Sequence, residues 1–301
     1  MSVVAVGVFD GLHRGHRALF ERALARAAGE RCVAVSFDPH PDVVLAKEFR
    51  PIAPLTPLPE KHARLAAMGV ELHVLPFTRE LAALSPEEFV ERHLVTPFAP
   101  RALVVGADFA LGRGRAGNVE RLRRIGEGYG FEVESVPLLA DGADIVSSSR
   151  IREALTEGRV TDAAALLGRR YSFTGLVVHG DKIGRTLGWP TANLRLHDEK
   201  AVPALGIYAV WARIAGEDVW RAGAMSVGIR PTFDGKLRTL EVHLLDWDGD
   251  IYGRDVEVQF VQWLRPELKF EGREALVAAI AADVEHTRVR LAEPGNAPER
   301  A

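Results

Sequence analysis

A single cysteine, Cys32, stands in the 301 residues, so no disulfide can close within the chain. This suits a reducing compartment. Cys32 sits inside the apolar run CVAVSF and reads as a small buried hydrophobe on a strand rather than a nucleophile. No stretch approaches the ~18 consecutive apolar residues that a membrane-spanning helix requires. A dominant charge is also missing: 38 Lys and Arg face 41 Asp and Glu, a formal net charge of −3. That balance argues against nucleic acid or an anionic membrane as partner, since both select for basic surfaces. The one local basic cluster, Arg121, Arg123 and Arg124, is diluted by Glu120 and Glu127 and reads as a solvated helix face. The N-terminal MSVVAVGV enters a strand directly, without the basic region or cleavage site of a signal peptide. The expectation is a soluble, cytoplasmic protein. Internal repeats are lacking too, and a homo-oligomer remains open.

The length suits two domains. In the first half, Val-rich runs at 3–8, 32–37, 72–77, 102–106 and 131–137 alternate with helical patterns near 15–28, 59–68, 86–93 and 118–128. That alternation predicts βαβ units and a parallel sheet covered on both faces, with ligands at the carboxyl ends of its strands. A helical stretch at 148–167 closes this half. From Tyr171 the pattern changes to β-type runs at 171–179, 207–214, 219–227, 239–246 and 256–264, separated by turns such as Asp234-Gly235. No crossover helix fits between them, which predicts an antiparallel sheet or small barrel, followed by a helix near 273–291. Domains are therefore expected at 1–167 and 168–292, with 293–301 as a disordered tail.

Chemistry-bearing residues gather at the expected strand ends. Gly7, Phe9, Asp10, Gly11, His13, Gly15 and His16 lie where the first strand gives way to a helix. Glycines there permit close backbone approach, and a helix N-terminus favours anions. Two histidines three apart lean toward one phosphate. A lone H-x-x-H is a weak signal; H-x-G-H between strand and helix resembles the nucleotidylyltransferase signature, which implies in-line displacement at the α-phosphate of a nucleoside triphosphate. Three further segments follow in order: Ser36–Pro41 (SFDPHP), Val104–Gly117 (VVGADFALGRGRAG) and Ser147–Arg152 (SSSRIR). Together they resemble the FMN adenylyltransferase domain of bacterial FAD synthetases. The resemblance implies that His13 and His16 stabilise the ATP phosphates, with Gly7, Phe9, Asp10, Gly11, Gly15, Ser148 and Ser149 around them and Arg152 near the leaving pyrophosphate. Phe37, Pro39, His40, Pro41 and Asp108 would lie near the flavin. Two positions depart from the family pattern: Ala110 replaces the arginine of D-F-R-F-G, and Ser149 replaces a threonine.

In the second half Gly180, Lys182, Gly184 and Arg185 form a glycine-punctuated basic loop able to wrap phosphates, without Walker A spacing. Thr191 and Asn193 of P-T-A-N offer hard oxygen ligands for Mg²⁺ beside a nucleotide. In LEVHLL, Glu241 and His243 share one face of a strand. Glu241 is either a solvated surface carboxylate or a proton acceptor for an alcohol under phosphorylation. The ordered set P-T-A-N, R-P-T-F and E-x-H-L-L-D resembles riboflavin kinase. That resemblance makes Glu241 the base and places the flavin ring near Arg230, Leu264 and Arg265. The two likenesses run from Val3 to Leu291 and imply ATP-dependent conversion of riboflavin to FMN, then of FMN to FAD. The implied architecture is a Rossmann-like α/β domain followed by an antiparallel β-barrel and a terminal helix. Three rivals stand beside this: adenylylation of another small phosphate, a kinase with a silent flavin-binding first domain, and an RNA-linked protein. No K-M-S-K-S motif supports the last.

Overall fold

The computed structural model describes residues 1–48, 51–180, 183–232 and 235–299. It divides into two compact units, Met1–Ser148 and Ser149–Ala301. The helical stretch 148–167, placed with the first half by sequence pattern, thus lies almost wholly in the second unit.

In the first unit, strand β1 (Ser2–Val6) leads through a turn into helix α1 (Arg14–Ala27). Then come β2 (Arg31–Asp38), α2 (Leu58–Ala67), β3 (Glu71–Pro76), β4 (Pro100–Gly106), α3 (Val119–Tyr129) and β5 (Glu132–Val136). The sheet order is β3-β2-β1-β4-β5, and all pairs are parallel. Both faces are covered, which is why β1 and β4 read as uninterrupted apolar runs rather than alternating ones. Val4, Val6, Val33, Val35 and Leu103 pack on one face; Val3, Ala5, Ala34, Ala102 and Val104 pack on the other against Phe20 and Ala23 of α1. Strand order reverses between β1 and β4, where an open α/β sheet leaves a crevice for ligands.

The second unit begins with helices α4 (Ser148–Thr156) and α5 (Val160–Leu167). Six strands follow: β6 (Ser172–Val178), β7 (Ala192–Leu196), β8 (Gly206–Ile214), β9 (Trp220–Thr232), β10 (Gly235–Leu244) and β11 (Asp255–Arg265). They close into an antiparallel barrel in the order β6-β7-β10-β9-β8-β11, which removes the open edges an antiparallel sheet would leave. Phe260 anchors the interior, edge-on to Phe173 and Tyr208 with ring centroids 5.2 and 5.1 Å apart. Strand β7 was not expected, because P-T-A-N reads as a ligand loop; Ala192 and Leu194 nonetheless point inward while Asn193 takes the other face.

Helix α6 (Arg273–Ala292) closes the barrel. The tail after it departs from the expected disorder. Trp211 Nε1 donates to the Asn296 carbonyl at 2.5 Å, and the Glu299 carboxylate accepts from Arg170 N at 2.9 Å. Gln259 exchanges two bonds with the Glu299 backbone, both 3.0 Å. Polar, Pro- and Gly-containing sequence hid a segment ordered by backbone hydrogen bonds rather than by apolar burial.

Candidate functional site

In the first unit the β1–α1 turn is strained at non-glycine positions. Phe9 and Leu12 have φ of 51° and 43°, flanking Gly11 at 82°. Such conformations cost roughly 1–3 kcal/mol each and persist where the surroundings over-determine them. Asp10 is part of that surrounding. Only 3 % exposed, its carboxylate accepts the backbone N–H groups of Leu55 and Thr56 at 3.0 Å, and its carbonyl accepts from Ser148 Oγ at 2.8 Å. Asp10, predicted to bind phosphate, is therefore committed to shaping the turn. Gly7 is required for a related reason: a Cβ there would lie 2.8 Å from the Phe9 ring.

His13 caps α1, its Nδ1 accepting the His16 N–H at 3.3 Å. An accepting Nδ1 puts the imidazole proton on Nε2, the donor needed toward an anion. The His13 and His16 rings stack with centroids 3.6 Å apart and 17° between planes, so the two expected histidines do converge. Gly15 makes room for them, since a Cβ there would come 3.2 Å from the His13 ring.

The other expected residues of this unit are less uniform. Phe37 belongs to the core, packed edge-on against Phe77 at 5.5 Å. His40 caps the short helix Pro41–Leu45 through Nδ1, 3.1 Å from Asp42 N. Asp108 is exposed beyond β4, with Arg115 Nη2 donating to its carbonyl at 3.0 Å. At the departure from the family pattern, Ala110 pairs with Asn118 in a small hairpin whose turn carries Arg113 and Arg115. Ser149 and Arg152 fall in α4, beyond the unit boundary.

One residue escaped the sequence reading. Lys61, 4 % exposed, sits on α2 with its Nζ donating to the Val8 carbonyl at 2.9 Å and to Ser36 Oγ at 3.3 Å. Burial pulls its ammonium below the ordinary lysine range, while the charges of Asp10 and Asp38 pull the other way. A signal was present: Lys61 occupies the helical face of Leu58, Leu65 and Met68, where the period calls for an apolar side chain.

In the second unit the expected groups come together on paired strands. Asn193 of β7 lies opposite Glu241 of β10, and Ser226 of β9 flanks Glu241 on its other side. Thr191 Oγ1 donates to Glu241 Oε2 at 3.1 Å. Because that hydroxyl proton is directed to the carboxylate, the oxygen lone pairs of Thr191 remain for a cation. Val242 and Leu244 point into the barrel while Glu241 and His243 face outward. His243 Nδ1 is 2.7 Å from the Pro190 carbonyl, with Trp189 edge-on to its ring, and this clips P-T-A-N to β10.

Glycines cradle the same groups. A Cβ at Gly180 would collide with the Asn193 amide, and one at Gly184 with the Trp189 carbonyl and Thr191. Arg185, Pro190, Thr191 and the segment Trp247–Tyr252 line a cleft over these strands. Lys182 lies outside the described residues, as does the side chain of Arg230. Leu264 packs on the cluster of Ala209, Val261 and Leu291, and Arg265 forms a bidentate pair with buried Asp283 at 2.6 and 2.7 Å. Both therefore fasten α6 to the barrel. Among the described residues no cluster of three His, Cys, Asp or Glu exists that could hold a metal by itself.

Comparison with known proteins places each half of the chain in a family. A family model described as FAD synthetase matches residues 1–150, and one described as riboflavin kinase matches residues 167–291. The chain is 40 % identical over 296 residues to the bifunctional riboflavin kinase/FMN adenylyltransferase of Listeria monocytogenes, covering 97 % of this chain and 93 % of that one. It is 38 % identical over 284 residues to the Escherichia coli K12 protein of the same name, covering 93 % and 90 %. A crystal structure from Streptococcus pneumoniae titled macrolide-efflux protein superposes with a TM-score of 0.88 at 35 % identity, covering 95 % of this chain and 93 % of that one.

Proposed function

We propose a division of labour between the two units of this chain, which belongs to the bifunctional riboflavin kinase/FMN adenylyltransferase family. It phosphorylates riboflavin to FMN and adenylylates FMN to FAD. Under this reading the domains run 1–167 and 168–292, the barrel acts first, and the Rossmann-like unit uses its product. The juxtaposition of Thr191, Asn193 and Glu241 across β7 and β10 carries the proposal.

In the barrel, Glu241 accepts the proton of the terminal ribityl hydroxyl as its oxygen attacks the γ-phosphorus of ATP, and ADP leaves. Thr191 orients Glu241 through their 3.1 Å bond. Arg185, which lines the cleft beside Pro190 and Thr191, meets the phosphates. Mg²⁺ fits Thr191 Oγ1 and the Asn193 amide oxygen: both are hard oxygens in a glycine cradle, and so few protein ligands suit an ion that keeps waters and phosphate oxygens. When bound it neutralises charge on those phosphates.

The first unit faces different chemistry. Its nucleophile is the FMN phosphate, already anionic, so no base is needed and positioning with charge stabilisation suffices. An FMN oxygen attacks the α-phosphorus of ATP, and pyrophosphate takes the electron pair of the breaking bond. The Nε2–H of His13, the His16 imidazole and the α1 N-terminus meet the charge that develops. Pro39, His40, Pro41 and Asp108 border the flavin.

Among the described residues no helix is long and apolar enough to cross a membrane. The balanced charge and lone cysteine support a cytoplasmic place with small molecules as partners. Two variants test the division. Glu241→Gln is expected to lower FMN formation by about 10²–10⁴-fold while FAD formation from supplied FMN persists. Replacing His13 and His16 by Ala is expected to do the reverse. Crossed effects would overturn the assignment.

A further inference from the structure

We infer that Lys61 is a positioning residue of the adenylyltransferase site, a buried cation that sets the β1–α1 turn carrying His13 and His16. The inference rests on the assignment of that turn to the ATP phosphates. Nothing in the motifs points to Lys61, and its side chain is buried. What its Nζ does is structural in a specific way. By donating to the Val8 carbonyl it fixes the last peptide before Phe9, the residue at which the backbone enters the left-handed region.

Ser36 Oγ donates to the same Val8 carbonyl at 2.9 Å and accepts from Lys61. One buried cluster therefore joins the carboxyl ends of β1 and β2 to α2. The Ser36 end leads into Asp38 and the Pro39–Pro41 loop, so a single ammonium references both the phosphate turn and the proposed flavin loop. Asp10 completes the enclosure from the turn itself, and Asp38 from the end of β2; these are the two charged groups acting on Lys61 from the elements packed around it.

Burying an ammonium is costly unless it is hydrogen-bonded and near opposite charge, and an apolar side chain at this position would pack on Leu65 without that cost. A lysine there is explained by the geometry it imposes. Deprotonation removes one donor from the cluster and leaves Asp10 without its buried counter-charge, so the turn relaxes. Desolvation lowers the lysine's affinity for its proton, so this relaxation sets in at lower pH than for an exposed lysine.

The test compares Lys61→Met with Leu65→Ala in the full chain, following FAD formation from supplied FMN and ATP. Leu65 is fully buried on the same helix face, and its truncation weakens α2 without touching the cluster. Lys61→Met is expected to lower kcat about 100-fold, the scale of a small misplacement of reacting groups, with the KM for FMN and ATP changed less than about 3-fold. The wild type is expected to lose rate on the alkaline side as Lys61 deprotonates, and Lys61→Met is expected to lack that fall. Leu65→Ala is expected to lower the melting temperature yet keep kcat per folded molecule and that alkaline fall. Ser36→Ala removes an acceptor of the ammonium, and its alkaline fall is expected at lower pH.

A wild-type kcat in Lys61→Met, or an alkaline limb unmoved in Ser36→Ala, would overturn the inference. If Lys61→Met is neutral while the His13 and His16 replacement is inactive, the inference fails alone. If that double replacement keeps full FAD formation, the underlying site assignment fails instead.

Discussion

At the scale of single residues, the sites depend on what is absent from a backbone position as much as on the groups that do chemistry. Gly15 shows this most sharply. Its φ is ordinary for a helix, so conformational freedom does not explain it; the space taken by the His13 ring does. Gly15→Ala places a methyl 3.2 Å from that imidazole and is expected to cut FAD formation by roughly 10–100-fold while leaving FMN formation unchanged. Side-by-side assays of the two reactions check it, and equal loss of both would contradict it. The convergence of His13 and His16 and the shared face of Glu241 and His243 were legible from residue spacing, whereas the Thr191–Glu241 bond was not. Phe37, Asp10 and Arg265, expected beside ligand, each make structural contacts as well. Each belongs to a segment that borders a site, but a motif does not tell which of its residues meets ligand and which holds the segment in place. Lys61 was invisible to motif reading and visible only as a charge on an apolar face.

Among the elements, those with strong periodicity matched expectation within one to a few residues, from α1 and α3 to the barrel strands. Strand β7 was missed because only five residues separate a phosphate-type loop from the next turn, and ligand-type residues masked their alternation. The tail was misjudged for a complementary reason, since hydrogen bonds to Trp211, Gln259 and Arg170 order a sequence with little apolar content. Burial alone weakens the protonation of Arg170, and Glu299 opposes that effect. Removing residues 293–301 therefore strips four bonds made with Trp211, Arg170 and Gln259, each worth about 1 kcal/mol. The melting temperature of the kinase unit is expected to fall by roughly 8–16 °C, at ~2–4 °C per kcal/mol, with FMN formation retained at room temperature. Differential scanning calorimetry of the truncated chain would show it; an unchanged transition would mean that the tail contributes nothing.

On the scale of the molecule, two folds solve two problems of phosphorus chemistry. A closed barrel sets a carboxylate beside hard oxygen ligands, as a neutral alcohol nucleophile requires. A parallel sheet offers a switch point, a helix N-terminus and paired imidazoles, sufficient for a nucleophile that is already an anion. The most direct test incubates the purified chain with riboflavin, ATP and Mg²⁺ and separates the flavins chromatographically over time. FMN is expected first, with FAD appearing after a lag as FMN accumulates. FMN that never becomes FAD, even when supplied directly, would contradict the assignment of adenylyl transfer to the first unit.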